Sequence, residues 1–295
     1  MTPSFKVRCR EICDGDLTAI IELLAKGFPE RGRDYWVRAI ERLRTRVIGE
    51  ANPKYGYLLE SNEGPVAVIL LLFTHMELDG DVVKRCNVSS WYAEPAFRGH
   101  AALLSAVATK DASYTYVNIS PAMHTWPIIE AHGFRSYSGG QFLALAALSK
   151  SEVGARVIEV QAGAGGKPCD ELAMLPEGRL LLDHVGYGCI GLICQAKDGA
   201  HPFVFVPISI AKGPVKFGGA QLVYCRSIDE LVRFAGVLGR FLLSRGMLFL
   251  ALDANGAVDG LIGTYRTSRG RKYFKGPKPP RLGDLAYTEI AMFGP

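Results

Sequence analysis

No Cys-x-x-Cys pair occurs in this chain, and no histidines cluster beside its seven cysteines, Cys9, Cys13, Cys86, Cys169, Cys189, Cys194 and Cys225. An odd, scattered set of this kind excludes both a disulfide framework and a zinc site of the usual spacing, and it predicts reduced core thiols in the cytoplasm. Long apolar runs are missing too. Pro65 to Phe73 is too short to cross a bilayer, and Leu238 to Leu252 is broken by Arg240, Ser244, Arg245 and Gly246. Met1 to Arg8 lacks the apolar stretch of a signal peptide, so a chain without a membrane segment is expected. Charge of one sign is in small excess: a net +5 permits an anionic ligand but does not by itself argue for nucleic acid.

What is present describes a globular protein with a sizeable core. Hydrophobic residues make up 48% and charged residues 21% of 295 positions, enough for two domains of ordinary size. Phe5 to Glu11 alternates as a first strand, and Asp14 and Asp16 precede an apolar-periodic helix, Leu17 to Lys26. A second helix, 34–46, turns Tyr35, Trp36, Ile40 and Leu43 inward and a row of arginines outward, read as a solvated face. Tyr55 to Glu60 and Pro65 to His75 form a hairpin around Ser61-Asn62-Glu63-Gly64, and Val82 to Ala93 adds a further strand. Tyr114 to Ile119 is a short buried strand. Thr125 to Ala131 is a short helix with Pro127 in its first turn, and Gln141 to Leu148 is a strand closing the first half.

The stretch from Ser89 to Leu104 organises this half. An aromatic strand stops at Glu94-Pro95, a Phe97-Arg98-Gly99 turn follows, and a helix of strong helix formers begins near Ala101. Free backbone N–H groups and a positive dipole end then face whatever lies above the turn. Two readings stay open on these residues: a phosphate site, or a structural junction.

The second half repeats the pattern coarsely. Lys150 to Cys169, with Gly163-Ala164-Gly165-Gly166, reads as a linker that includes a strand at Val157 to Val160. Glu171 to Val185 includes helical turns, and Cys189 to Ala196 and Phe203 to Ile210 pair around Lys197-Asp198-Gly199. Ala220 to Tyr224 leads through Cys225-Arg226-Ser227 into an amphipathic helix, Ile228 to Ser244, capped by Ser227. Met247 to Leu252 and Asp284 to Phe293 are read as strands. That junction has no glycine turn and is not expected to hold a pyrophosphate. Asp183-His184 is an adjacent acid–imidazole pair, and in an extended segment such neighbours point apart. The segment Arg266 to Arg281 holds Arg266, Arg269, Arg271, Lys272, Lys275, Lys278 and Arg281 with no acid, with Tyr273 and Phe274 interleaved. It is either a solvated loop or one that recruits an anionic acceptor, cofactor phosphates or RNA.

Ala93 to Leu103 resembles the pyrophosphate-binding string of the GNAT acyl-CoA N-acyltransferases, close to Val-x-Pro-Glu-Tyr-Arg-Gly-x-Gly-x-Gly. Pro95 and Phe97-Arg98-Gly99 fit it, while Ala101 and Leu103 replace its later glycines. A second frame takes Gly99 and Ala101 as the two small residues and puts Ala96 where the family has Arg or Gln. Ala122 to Phe134 resembles the family's Asn-x-x-Ala-x-x-Leu-Tyr-x-x-x-Gly-Phe. Gly133-Phe134 matches, but Ala122, Thr125 and Ile129 stand at the asparagine, alanine and tyrosine. The element order is also that of the family.

The resemblance implies a mixed α/β fold, a largely antiparallel central sheet flanked by helices, in tandem GNAT-like domains: 1–148, a linker at 149–170, and a divergent 171–295. It implies acetyl-CoA or another acyl-CoA, bound by Trp91, Tyr92, Ala93, Phe97, Arg98, Gly99, His100, Ala101 and Ala102. The acyl group would pass to an amine of a small molecule or peptide, an anionic acceptor included. Glu94 and His124 are the candidates for proton transfer, no metal is implied, and the family's tyrosine acid is absent. Two alternatives stand beside this: a binding protein that kept the fold and lost the chemistry, and a Fem-like transferase using aminoacyl-tRNA.

Overall fold

A computed structural model describes residues 6–49, 51–78, 81–161, 172, 175–213, 215–267 and 269–294. In chain order it contains β1 (Arg8–Glu11), α1 (Leu17–Gly27), α2 (Arg33–Thr45), β2 (Gly56–Ser61), β3 (Gly64–Leu78), β4 (Asp81–Ala93), α3 (Ala101–Ala108), β5 (Thr115–Asn118), α4 (Trp126–Ala131) and β6 (Arg135–Ser138). There follow β7 (Gly140–Ala144), β8 (Arg156–Val160), α5 (Gly178–Gly186), β9 (Ile190–Ala196), β10 (Gly199–Lys212), β11 (Val215–Tyr224), α6 (Ile228–Ser244), β12 (Phe249–Ala254), β13 (Gly263–Arg266), β14 (Lys272–Lys275) and α7 (Glu289–Met292). The fold is mixed α/β with two mostly antiparallel sheets, as the sequence implies.

Helix and strand choice follows side-chain period. In α2 the residues Trp36, Ala39, Ile40 and Leu43 recur at helical spacing and are the buried ones. Val66 to Phe73 in β3 is buried at every position, the continuous apolar run of a strand covered on both faces. In α6, Ser227 accepts from the Glu230 amide at 3.1 Å and starts the helix. Its inner face buries Leu231, Phe234, Leu238 and Leu242. Each such side chain contributes roughly 1.5–3 kcal/mol through area removed from water.

The two sheets have seven strands each, in the orders β1-β2-β3-β4-β5-β14-β6 and β8-β9-β10-β11-β12-β7-β13. These orders match position for position. In each sheet the fourth and fifth strands run parallel and are joined over only three residue pairs: Arg85, Cys86 and Asn87 with Thr115, Tyr116 and Val117, and Gly219, Ala220 and Gln221 with Phe249, Leu250 and Ala251. The sixth position is exchanged. β14, late in the chain, follows β5, and β7 follows β12.

That exchange changes the division expected from sequence. The compact units are residues 1–135 with 273–279, and residues 136–272 with 280–295, rather than 1–148 and 171–295. β7, read as the strand closing the first half, pairs with β12 and β13. Arg156–Val160, placed within the linker, is an edge strand of the second sheet on β9. The glycines at 163–166 lie outside the described residues. Two further readings are corrected. Residues 284–293 form no strand: Tyr224 and Asp284 make a single bridge, and Glu289–Met292 is helical. His184 lies in α5, not in an extended segment. Among the described residues no helix is long and apolar enough to cross a membrane. The six described cysteines are all free thiols.

Candidate active site

β4 carries the candidate site residues Trp91, Tyr92 and Ala93, and its register is irregular there. Val68 pairs with Tyr92 and Leu70 with Ser89, so Ser90 and Trp91 stand opposite the single residue Ile69. This is a bulge, and Ser90 takes a positive φ of 50° within it. A residue other than glycine in that region stores strain, which persists only where the surroundings hold it. On its other edge β4 leaves β5 after Asn87, whose Nδ2 donates to the Val117 carbonyl at 3.1 Å. β4 nonetheless runs on to Ala93, held to β3 where the Glu94 amide donates to Val66 O at 2.9 Å. Beyond Asn87 β4 makes no further ladder pair with β5, which itself ends at Asn118.

The strand then feeds a 3-10 turn, Pro95–His100, which runs directly into α3. Phe97 is buried beneath the turn while Arg98 and Gly99 are exposed. Nothing lies within 4 Å of the place a Cβ would occupy on Gly99. His100 is the residue before the helix and is half-buried, with its Nδ1 enclosed and without a hydrogen-bond partner. Ala101 packs on the core and Ala102 is exposed. Leu103, where the family string has its last glycine, is 46% exposed. The turn therefore offers an exposed glycine and one exposed guanidinium just before α3, a combination suited to phosphate oxygens, while the Phe97 amide is taken by the Glu94 carbonyl at 2.8 Å and the Ala101 amide by the Arg98 carbonyl.

Of the strand residues, Ala93 is buried and Trp91 packs on the core with its ring 6.1 Å from that of His132. The Trp91 Nε1 is buried and has no hydrogen-bond partner. Tyr92 lies flat against the end of α1: a Cβ on Gly27 would fall 2.4 Å from its ring, and Phe28 is 6.2 Å away, centroid to centroid. Phe28 in turn lies 5.5 Å from Trp36. Glu94 and Lys26 form an ion pair at 2.5 Å, and the carboxylate raises the ammonium pKa by its hydrogen bond. His124 is exposed in a 3-10 turn, Met123–Thr125. Among the described residues no hydrogen bond is described for it, and none joins it to Glu94. Ile129, at the family's tyrosine, is buried in the core.

The Lys26–Glu94 pair, the bulge at Ser90 and the bond between His132 Nδ1 and Ser105 Oγ at 3.0 Å escape the sequence. Only Gly27, a residue without a side chain at the end of an amphipathic helix, marked the place where another group approaches closely. The basic segment is largely drawn into the fold. Lys272 is buried and 3.2 Å from Asp253, Lys275 Nζ donates to Thr109 Oγ1 at 3.2 Å, and Arg281 donates to the Cys225 carbonyl. Tyr273 is fully buried, its hydroxyl 2.8 Å from Glu130 Oε1, and Arg135 covers the ring of Phe274. The solvated-loop reading of this segment as a whole is thereby corrected.

No protein-family model and no curated protein matches the chain. Solved structures do. A GCN5-related N-acetyltransferase from Anabaena variabilis superposes with a TM-score of 0.59 at 10% identity, over 91% of this chain and 72% of that one. One from Kribbella flavida gives 0.54 at 14% identity, over 92% and 71%. At such identities the likeness is one of fold.

Proposed function

We propose that this chain, which has the fold of the GCN5-related N-acetyltransferases, moves an acyl group, acetyl first, from coenzyme A to an amine beside β4, beyond its last pair with β5. One observation carries the reading. The bulged strand that parts from β5 after Asn87 runs straight into an arginine-bearing turn just before α3. A ligand with an anionic end and an extended arm fits that continuity. Coenzyme A supplies the acyl thioester. Arg98, exposed on the turn from Phe97 to Ala102, holds its pyrophosphate, and Trp91, Tyr92 and Ala93 line the arm. The backbone at Ala93 faces the thioester carbonyl and donates to its oxygen.

Glu94 is the group that takes a proton from the amine, with Lys26 setting the direction of its carboxylate. His124, at the turn before α4, returns a proton to the departing sulfur. The acceptor is a small-molecule or peptide amine. A preference for an anionic acceptor rests on Lys278, which is exposed within the first unit. The second unit is a divergent domain of the same kind, on the recurrence of the strand order. The free thiols suit a cytoplasmic location.

A second reading, a binding protein without turnover, is favoured by one fact: the tyrosine position is a buried isoleucine. Calorimetric titration with acetyl-CoA, followed by thiol release with a panel of amines, separates the two. Binding with thiol release supports transfer, and binding without it across the panel supports the second reading. No binding removes both.

A further inference from the structure

The edge of β11 that continues past its last parallel pair with β12 is already taken. The edge facing β10 is paired as far as Tyr224 with Val204. The backbone groups of Val223 and Cys225 therefore point to the β12 side, beyond Gln221. There the Cys225 amide donates to Gly283 O at 2.9 Å, and the Leu285 amide donates to Val223 O at 2.7 Å, around the bridge between Tyr224 and Asp284. Through these two bonds and the single bridge the C-terminal segment follows the β12 side of β11 beyond Gln221, at the position where β4 of the first sheet has run past its last pair with β5.

We propose that Arg281–Tyr287 is the resident occupant of the β12 side of β11 beyond Gln221, an internal ligand that closes this edge to acyl-CoA. The segment is seated by side chains as well as backbone. The Arg281 guanidinium reaches the Cys225 carbonyl and lies over the Tyr224 ring at 5.0 Å. Gly283 has a φ of 77°, and a Cβ there would come within 2.6 Å of Cys225 Sγ, so the close approach depends on glycine. Asp284, Leu285 and Ala286 are each 2% exposed or less. Tyr287 ends the segment with its amide on His184 Nε2 at 3.0 Å and its hydroxyl on Asp183 at 2.9 Å.

The other half of a nucleotide site is closed by the same unit. At the start of α6 the Ser227 hydroxyl occupies the Glu230 amide, and Asp229 and Glu230 bring negative charge to the helix end where an anion would bind. Arg226, the residue nearest in place to Arg98, is held by both oxygens of Glu177 at 2.7 and 2.9 Å. The counterpart of the cation that the first turn exposes is not available here.

The seating rests on the hydrogen bonds above; only the acyl-CoA arm of its test rests on the proposed function. The test is hydrogen exchange on the full chain, without ligand and with acetyl-CoA. Without ligand, the amides of Cys225 and Leu285 are expected to exchange within roughly tenfold of those of Ala220 and Leu222 in the core of β11. Exchange at the rate of the exposed residues Asp259 and Gly260 would overturn the proposal. With acetyl-CoA, protection is expected to rise over 91–103 and to stay unchanged over 220–228 and 281–287. Protection gained at 220–228, or segment 281–287 released by the ligand, would overturn it as well. If acetyl-CoA changes nothing anywhere, the proposed function fails, and the unliganded map still decides whether the segment is seated.

Discussion

The amide of Tyr287 donates to Nε2 of His184 across 3.0 Å, while His184 Nδ1 lies 2.7 Å from the Leu180 carbonyl. A carbonyl can only accept, so Nδ1 carries the proton and Nε2 offers a lone pair: the imidazole is neutral. Burial lowers its pKa, against smaller opposite pulls from the Leu180 carbonyl, Asp183 and Asp284. The unfolded chain takes up a proton near about pH 6.5 and the folded chain only lower. Stability from this group is therefore complete above about pH 6.5 and is lost as pH falls from there toward the depressed value, at no more than about 1.4 kcal/mol per pH unit. A protonated Nε2 would also face a second donor at Tyr287. Denaturant titrations from pH 7.5 to 5 should show this loss. His184→Gln, whose side-chain oxygen can accept from the same amide, should flatten it.

Arg98→Glu should weaken acetyl-CoA binding by about 1–3 kcal/mol, the scale of a lost charge-assisted hydrogen bond, or roughly 5- to 150-fold in Kd. The side chain is exposed at the turn, so thermal stability should be unchanged. Calorimetry on the two proteins measures the ratio. Equal affinities would move the pyrophosphate away from the 97–102 turn.

The elements around that turn were legible because their signals are local. Proline after an aromatic strand, a glycine turn and a run of helix formers fix a strand, turn and helix without reference to anything distant. Ser227 announced α6 in the same way. The exchanged strands were not legible. β7 has five residues and β14 four, and neither Gln141 to Ala144 nor Lys272 to Lys275 says which sheet it will join. That choice is made by long-range pairing such as Phe274 with Val117 and Phe142 with Leu252. Composition misled at 266–281 for a related reason. Its charges suggest solvent, yet alternation lets Tyr273 face the core while the lysines find partners within the fold. In the candidate site, residue types and order could be read, but not the bulge at Ser90 or the partner of Glu94, since both depend on how separate elements register.

Glu94→Gln separates proton transfer from a structural role at the strand end. As the base, its loss should lower thiol release by roughly 10²- to 10⁴-fold with acetyl-CoA affinity unchanged. As a group that only holds α1 to the turn through Lys26, its loss should leave turnover nearly intact, and Lys26→Met should then mimic it. Steady-state rates and calorimetry on both variants tell these apart. His124→Ala should reduce the rate but not the affinity if the histidine serves the departing sulfur.

Lys272 and Asp253 are 6% and 3% exposed, with Nζ and Oδ1 3.2 Å apart. Burial raises the carboxyl pKa of Asp253, and Lys272 pulls it back. Taking away the lysine strands a buried carboxylate, so Lys272→Met should destabilise the fold by about 3–5 kcal/mol, where an exposed lysine would cost almost nothing. The sign of the pH effect follows. A carboxyl held above its unfolded pKa keeps its proton in the fold, so the variant should be most stable in acid and lose stability as pH rises through about 4 and beyond. Replacing both partners by apolar residues, Lys272→Met with Asp253→Leu, removes the stranded charge and should recover most of the loss. Urea titrations of the single and double variants at pH 5 and pH 8 measure the coupling. A single variant as stable as the parent at both pH values would return Lys272 to the solvated face that its composition suggests.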